Sequence, residues 1–105
     1  MTVYNKLVRD RIPDIIAAAG GRCEVRELPP EEYRRALSDK LLEEAQEYRT
    51  DGTLEELADV LEVLQALVRA SGATWQELED LRRTKAAARG GFDRRLWLVW
   101  ADPRA

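Results

Sequence analysis

Two pairs of acidic residues lie in the middle of the chain, within stretches that otherwise have the composition of helical cores. Glu44 and Glu47 are three residues apart in the segment LLEEAQEY, and Glu56 and Asp59 are three residues apart in LEELADVLEVL. Because residues three apart share a face of an α-helix, each pair can project its carboxylates together. Carboxylates that converge from two helices are typical of metal centres in helical bundles. The spacing therefore predicts a site for a divalent cation.

Helical periodicity places these acids beside apolar residues. At about 100° per residue, Glu44 falls within the stripe that contains Leu37 and Leu41, and Glu47 lies just beside it. The second acidic pair lies on the side of Val63 of the next helix. A carboxylate that leaves water without a partner costs several kcal/mol and tends to take up a proton. A cation is therefore needed to keep acids ionised at these positions.

The residue types that are missing narrow the choice of cation. The chain has no histidine and one cysteine, Cys23. Zinc sites depend mainly on these two residue types, whereas Mg²⁺ and Mn²⁺ take hard oxygen ligands. We therefore predict Mg²⁺, with Mn²⁺ as the second choice. Without histidine, acid–base chemistry falls to carboxylates, lysine, tyrosine or metal-bound water.

Each acid also has an explanation that needs no metal. Glu43 and Glu47 are four residues apart and can form a solvated edge of their helix. Thr53 followed three residues later by Glu56 matches a capping box, in which the carboxylate reaches back to the start of the helix. Asp59 can pair with an arginine. We favour the metal because all the acids gather on faces flanked by apolar residues.

Glycine, proline and threonine divide the chain into short segments of distinct periodicity. The predicted elements are a short helix in RDRIPDIIAAAGG, a strand in RCEVREL, a helix at about 30–49, a helix from Thr53 to about Ala70, a helix from Thr74 to about Arg89, and a strand in RRLWLVWA. The expected fold is all-α: an antiparallel bundle of about four helices with a small two-stranded β-element. We expect a single domain that spans residues 1–105.

The charge pattern argues against nucleic acid as a partner. Residues 30–62 carry eleven acidic and four basic residues, whereas residues 82–95 carry six basic residues and one acidic residue. An acidic centre with basic flanks suits a cation-mediated site for an anion better than a nucleic-acid surface. The alternative, which charge alone favours, is a set of ordinary solvated helix faces of opposite sign. The apolar runs are too short for a membrane span, and no apolar stretch follows the first basic residues. We therefore expect no signal peptide, no membrane partner and a cytoplasmic location.

Two aromatic residues near the end of the chain predict self-association. Trp97 and Trp100 are an odd number of positions apart, so they face opposite sides of the predicted strand. One can be buried in the core, and the other is exposed unless a second subunit covers it. The helices also carry more apolar surface than so small a domain can cover. We therefore predict a homodimer or a higher homo-oligomer.

The acidic segments resemble a known signature. EEAQE at residues 43–47 and ELAD at residues 56–59 resemble the EExxE…ExxD signature of the MazG-type all-α nucleoside triphosphate pyrophosphatases. YNKLVRDRIP and RGGF resemble a short-chain branch of that superfamily, which is related to phosphoribosyl-ATP pyrophosphohydrolases. The resemblance implies Mg²⁺-dependent hydrolysis of a non-canonical or surplus nucleoside triphosphate, in a house-cleaning role, to a nucleoside monophosphate and pyrophosphate. The alternatives are phosphoribosyl-ATP as the substrate, or a non-catalytic helical interaction module.

The implied reaction gives candidate roles to acidic and basic residues, because phosphoryl chemistry needs charge neutralisation and positioning more than a covalent nucleophile. The candidates are the metal ligands Glu44, Glu47, Glu56 and Asp59, the catalytic residues Glu43, Glu44 and Lys40, and the substrate-binding residues Asn5, Lys6, Arg9, Lys85 and Arg89. Glu43 is either a further ligand or orients the attacking water, and Lys40 either contacts phosphate or steadies the carboxylates. For Lys85 and Arg89 the alternative is an ordinary surface position. Asn5 contacts phosphate or base, or else makes a local turn hydrogen bond.

Overall fold

Helices make up all the regular secondary structure in the part of the chain that the computed structural model describes, residues 1–104. They are α1 (Ile12–Ala18), α2 (Pro30–Asp51), α3 (Leu54–Ala70) and α4 (Trp75–Arg89). The prediction of an all-α chain is confirmed, and the ends of the three longer helices lie within two residues of their predicted positions. None of these helices combines the length and the apolar character needed to cross a lipid bilayer.

Local signals join α2 and α3 in a tight helical hairpin. Pro30 is the first residue of α2, where its missing N–H group is not needed. Gly52 ends that helix in the left-handed conformation, with φ 67°, and donates its N–H to the carbonyl of Tyr48 at 2.7 Å. The hydroxyl of Thr53 accepts the N–H of Glu56 at 3.3 Å and so caps α3. Since only two residues connect the helices, α2 and α3 run antiparallel.

The contact between α2 and α3 holds the small core. Within residues 1–104, the buried apolar side chains are Leu37 on α2 and Val63 on α3, which are 3% and 8% exposed. Glu44 on α2 is the buried charged residue of this interface. Helix α4 packs on α3 much less extensively than α2 does. Most of the side chains that cover one another therefore belong to the α2–α3 hairpin.

The described chain is elongated. Its principal dimensions are 63 × 32 × 22 Å, and its radius of gyration is 18.6 Å. A compact chain of this length has a radius of gyration of about 13 Å. The difference arises because α4 packs little on the hairpin and residues 91–104 are exposed throughout, which leaves much apolar surface uncovered.

The predicted two-stranded β-element is not found in residues 1–104, and that part of the fold prediction is wrong. RCEVREL and RRLWLVWA contain no strand, and nearly every residue in them is exposed. Trp97 and Trp100 are 89% and 78% exposed, so neither side chain lies in the core. A two-stranded ribbon is marginal in water unless a third element packs on its face. Neither segment has such a neighbour within the described chain.

Candidate metal centre

The turn between α2 and α3 brings acids of the two helices to the same height. Glu44 lies eight residues before Gly52, and Asp59 lies seven residues after it. At a rise of about 1.5 Å per residue, both stand about 11 Å from the turn. The local capping signals therefore set the register that allows the two carboxylates to meet.

Three of the predicted ligands form a carboxylate cluster, which consists of Glu44, Glu56 and Asp59. One oxygen of each residue lies within 4.8 Å of the other two. Glu44 is buried, and the other two are half-buried. The Oε2 atoms of Glu44 and Glu56 are out of contact with water and have no hydrogen-bond partner in the protein.

This geometry suits a hard divalent cation. Magnesium binds oxygens at about 2.1 Å, so two ligands of one ion lie about 3–4 Å apart. The three oxygens of the carboxylate cluster lie within 4.8 Å of one another, close to that range. An ion would also satisfy the two oxygens that lack a partner, which are otherwise costly to bury. Because every donor in the cluster is a carboxylate oxygen, Mg²⁺ or Mn²⁺ fits better than zinc.

Two basic side chains contact the edge of the carboxylate cluster. Nη2 of Arg9 lies 2.7 Å from Oδ1 of Asp59, and Nζ of Lys40 lies 3.3 Å from Oε1 of Glu44. Arg9 precedes α1 in the sequence, whereas Lys40 is one helical turn before its partner on α2. The arginine partner that the sequence offered as an alternative for Asp59 is present, and Asp59 nevertheless remains in the cluster.

Glu43 lies beside the carboxylate cluster and is held by two lysines. Its Oε2 accepts a hydrogen bond from Lys40 at 3.1 Å, and its Oε1 accepts one from Lys6 at 3.3 Å. Burial acts to raise the pKa of Glu43, but the hydrogen bonds and charges of the lysines outweigh it and lower that pKa. Burial likewise acts to lower the pKa of Lys40, but its two carboxylate partners raise it. Glu43 therefore suits the positioning of lysines better than the acceptance of a proton.

The pKa of Glu56 is shifted in the opposite direction to that of Glu43. Loss of contact with water raises its pKa, and the negative charges of Glu47, Asp51, Asp59 and Glu44 raise it further. Each of these effects disfavours the ionised carboxylate. A divalent ion at the cluster would remove the effect by supplying the positive charge that Glu56 lacks.

Only the backbone half of the capping box predicted for Glu56 is formed. Thr53 accepts the N–H of Glu56, but within residues 1–104 the Glu56 carboxylate makes no hydrogen bond back to Thr53. At the start of α4, in contrast, Thr74 and Glu77 form the complete reciprocal box. The side chain of Glu56 is therefore directed to the carboxylate cluster and not to the start of its own helix.

Glu47 is the predicted ligand that lies outside the carboxylate cluster. It is exposed, although its charge acts on Glu56. Periodicity placed it beside the apolar stripe of α2, but residues 45–55 are exposed throughout because no other element covers the turn end of the hairpin. Its assignment as a ligand remains a prediction.

The N-terminal segment forms a small cleft next to the carboxylate cluster. Asn5 and Lys6 line the cleft together with Lys40 and Glu43 of α2. The backbone of Asn5 has φ 46°, a left-handed conformation that asparagine tolerates better than most residues. The local turn hydrogen bond that the sequence offered for its side chain is not found within residues 1–104.

The two basic residues predicted on α4 stand apart from this arrangement. Lys85 and Arg89 are exposed, and no hydrogen bond or ion pair of the described residues joins them to the carboxylates. Sequence reasoning also missed one residue, Asp51, whose charge raises the pKa of Glu56. Its position was a usable signal, because the last residue of α2 lies next to the first turn of α3.

Comparison with known proteins finds a partial relative of this chain and no family. No protein-family model matches the chain, and no solved structure matches it. A curated relative, an uncharacterized protein of Mycolicibacterium smegmatis, is 48% identical over 48 residues. The match covers 46% of this chain and 49% of that relative, so the chain spans about half the length of the relative it matches.

Proposed function

We propose that this protein is a Mg²⁺-dependent pyrophosphohydrolase of the MazG type, which cleaves a nucleoside triphosphate between its α and β phosphates. The products are a nucleoside monophosphate and pyrophosphate, and the expected substrates are non-canonical or surplus nucleotides. One observation carries the proposal: buried Glu44 has an oxygen without a partner, next to Glu56 and Asp59. The resemblance of EEAQE and ELAD to the MazG-type signature supports the choice of reaction.

The carboxylate cluster supplies the metal side of this reaction. Glu44, Glu56 and Asp59 would hold the ion, and exposed Glu47 would have to turn toward Glu56 to join them. When bound, Mg²⁺ polarises the phosphate and lowers the pKa of coordinated water, which does not require histidine. Burial fixes the Glu44 side chain between the helices, so the site is positioned before the substrate arrives.

The basic residues near the cleft would bind the phosphates of the substrate. Lys6 and Lys40 flank the cleft. The ammonium group of Lys40 contacts Glu44 of the carboxylate cluster, and that of Lys6 contacts the neighbouring Glu43. Glu43 orients both lysines through its two oxygens. Arg9 adds a planar guanidinium that can bind a phosphate through two hydrogen bonds. Asn5 is exposed at the same cleft, where it can contact phosphate or base.

A substrate screen tests the proposal directly. Canonical and modified nucleoside triphosphates, together with phosphoribosyl-ATP, are incubated with the protein and Mg²⁺, and pyrophosphate is measured. We expect pyrophosphate and a nucleoside monophosphate from at least one of them. Turnover of phosphoribosyl-ATP alone would identify the alternative substrate. No turnover of any compound would favour a non-catalytic helical interaction module instead.

We also propose that the protein acts as a homodimer. Residues of the described chain expose 9935 Å², whereas a compact monomer of this mass exposes about 6000 Å². The excess of about 4000 Å² is larger than the roughly 800 Å² that each partner contributes to a standard protein interface. A second copy can therefore cover apolar surface that one chain leaves in water.

Helix α3 offers the surface for this second copy. Its apolar residues recur at alternating intervals of three and four, which is the spacing of a seam that packs against another helix. This α3 stripe consists of Leu54, Leu57, Leu61, Leu64 and Val68. Leu54 is 81% exposed, and Leu57 and Leu61 are more than 40% exposed, because α2 packs on the opposite side with Val63.

A further inference from the structure

Protein cations already contact two of the three carboxylates in the cluster that would hold a divalent ion. Arg9 donates to Oδ1 of Asp59 at 2.7 Å, and Lys40 lies 3.3 Å from Oε1 of Glu44. Within residues 1–104, Glu56 has no basic partner, and its Oε2 makes no hydrogen bond. The cluster is therefore partly neutralised by two protein cations, and the Oε2 atoms of Glu44 and Glu56 remain without a partner.

The charges match those of a divalent ion. Three ionised carboxylates carry three negative charges, and Arg9 and Lys40 together return two positive charges. A Mg²⁺ ion supplies the same two charges at about 2.1 Å from its oxygens. An ion at that position would lie a few ångströms from the guanidinium and the ammonium group, where like charges repel strongly. The protein cations and the divalent ion therefore compete to neutralise the same carboxylates.

We propose that Arg9 and Lys40 are resident cations that exchange with the divalent ion. In the metal-free protein they neutralise Asp59 and Glu44, and they leave these carboxylates when the ion binds. The released side chains then turn to the phosphates of the substrate, a final step that rests on the proposed function. The exchange of cations does not depend on that function.

Both side chains can move without losing every partner. The Arg9 side chain is 55% exposed, so water replaces Asp59 as it leaves. Lys40 is more enclosed, but it also donates to Glu43 at 3.1 Å and keeps that hydrogen bond when it leaves Glu44. Two hydrogen bonds, one from Lys6 and one from Arg9, join residues 1–11 to α2 and α3 within the described chain. The exchange therefore removes one of two tethers of the N-terminal segment.

Calorimetric titration with MgCl₂ or MnCl₂ alone tests the exchange on the full chain. We expect Arg9→Gln to bind the metal at least threefold more tightly than the wild type, because a competing cation is gone. Arg11→Gln is the matched control: Arg11 is exposed, makes no ion pair in the described chain, and carries the same charge. Its affinity should stay within twofold of the wild type. Thermal unfolding of each variant confirms that it is folded.

The direction in which Arg9→Gln changes the metal affinity decides whether the exchange occurs. A side chain that only supports the local structure would weaken metal binding when removed, so weaker or unchanged affinity in Arg9→Gln would overturn the exchange. An equal gain in Arg11→Gln would also overturn it, because the gain would then reflect overall charge. No uptake of either metal by the wild type would overturn the exchange and the metal site together.

A second titration separates the exchange from the proposed function. A non-hydrolysable nucleoside triphosphate analogue is added in the presence of saturating MgCl₂. We expect Arg9→Gln to bind the analogue at least threefold more weakly, opposite in sign to its gain for the metal. Tighter metal binding in a protein that binds no nucleotide would support the exchange and contradict the proposed function. Nucleotide hydrolysis without tighter metal binding in Arg9→Gln would support the proposed function and contradict the exchange.

Discussion

The Nζ atom of Lys40 lies 3.3 Å from Oε1 of Glu44, one helical turn along α2, while Oε2 of Glu44 has no partner in the protein. A single buried carboxylate thus has one oxygen neutralised by a protein cation and one left for a different partner. Glu56 and Asp59 each bring an oxygen within 4.8 Å of it from α3.

Substitution of Glu44 by glutamine should abolish metal uptake and reduce pyrophosphate release at least about 100-fold. The change keeps the size of the side chain and removes the charge that a divalent ion requires. The matched control is Glu55→Gln, an exposed acid in the first turn of α3. Calorimetry and a pyrophosphate assay should show Glu55→Gln within about twofold of the wild type, since it lies outside the carboxylate cluster. Normal metal uptake by Glu44→Gln would contradict the assignment.

Substitution of Glu56 by glutamine should have opposite effects on the metal-free and metal-bound protein. Loss of water and four nearby negative charges raise the pKa of Glu56 above its ordinary 4.5, so the folded state binds its proton more tightly than the unfolded state. That contribution to stability is present below pH 4.5 and is lost as the pH rises through the raised pKa. At pH 7 and without metal, Glu56→Gln should therefore unfold at a higher temperature than the wild type.

The same variant should gain nothing from Mg²⁺, whereas the wild type should be stabilised by it. Thermal unfolding at pH 4 and pH 7, without MgCl₂ and at a MgCl₂ concentration ten times the Kd, checks both effects. The advantage of Glu56→Gln should shrink at pH 4, where the wild-type carboxyl group carries a proton. Equal stabilisation of both proteins by Mg²⁺ would exclude Glu56 as a ligand.

Truncation of the buried side chains should destabilise the hairpin. Leu37→Ala should lower the free energy of unfolding by about 2–5 kcal/mol, because Leu37 is 3% exposed at the contact of α2 with α3. Leu42→Ala, on the same helix but 71% exposed, should change it by less than about 0.5 kcal/mol. Urea denaturation followed by circular dichroism measures the difference. Equal losses would mean that Leu42 is covered in solution.

Charges in the α3 stripe should separate the proposed dimer. Leu57→Glu combined with Leu61→Glu places two carboxylates in the seam, where the second copy would have to bury them. Light scattering should give twice the chain mass of 12.0 kDa for the wild type and the single mass for the double variant. Leu42→Glu, at an exposed position of α2 outside the α3 stripe, should remain dimeric. A wild-type monomer at micromolar concentration would contradict the proposal.

Local chemistry determined the helices and their ends. Pro30 opens α2, Gly52 ends it in a left-handed conformation, and Thr53 and Thr74 cap the helices that follow. These signals act over a few residues, so they can be recognised without a structure. Helical periodicity also predicted, from the sequence alone, that Glu44 faces the apolar side of α2, and Glu44 is buried there.

Tertiary contacts decided the rest. Glu44 is enclosed and Glu47 is not, although both lie near one stripe, because no element other than α2 and α3 covers the turn end of the hairpin. The β-element failed because strands need a partner across the chain, and no local signal supplies one. The pairing of Arg9 with Asp59, fifty residues apart, likewise depends on how the N-terminal segment lies over the hairpin. The sequence sets the helix face on which a residue lies, and only tertiary packing decides which other residues it contacts.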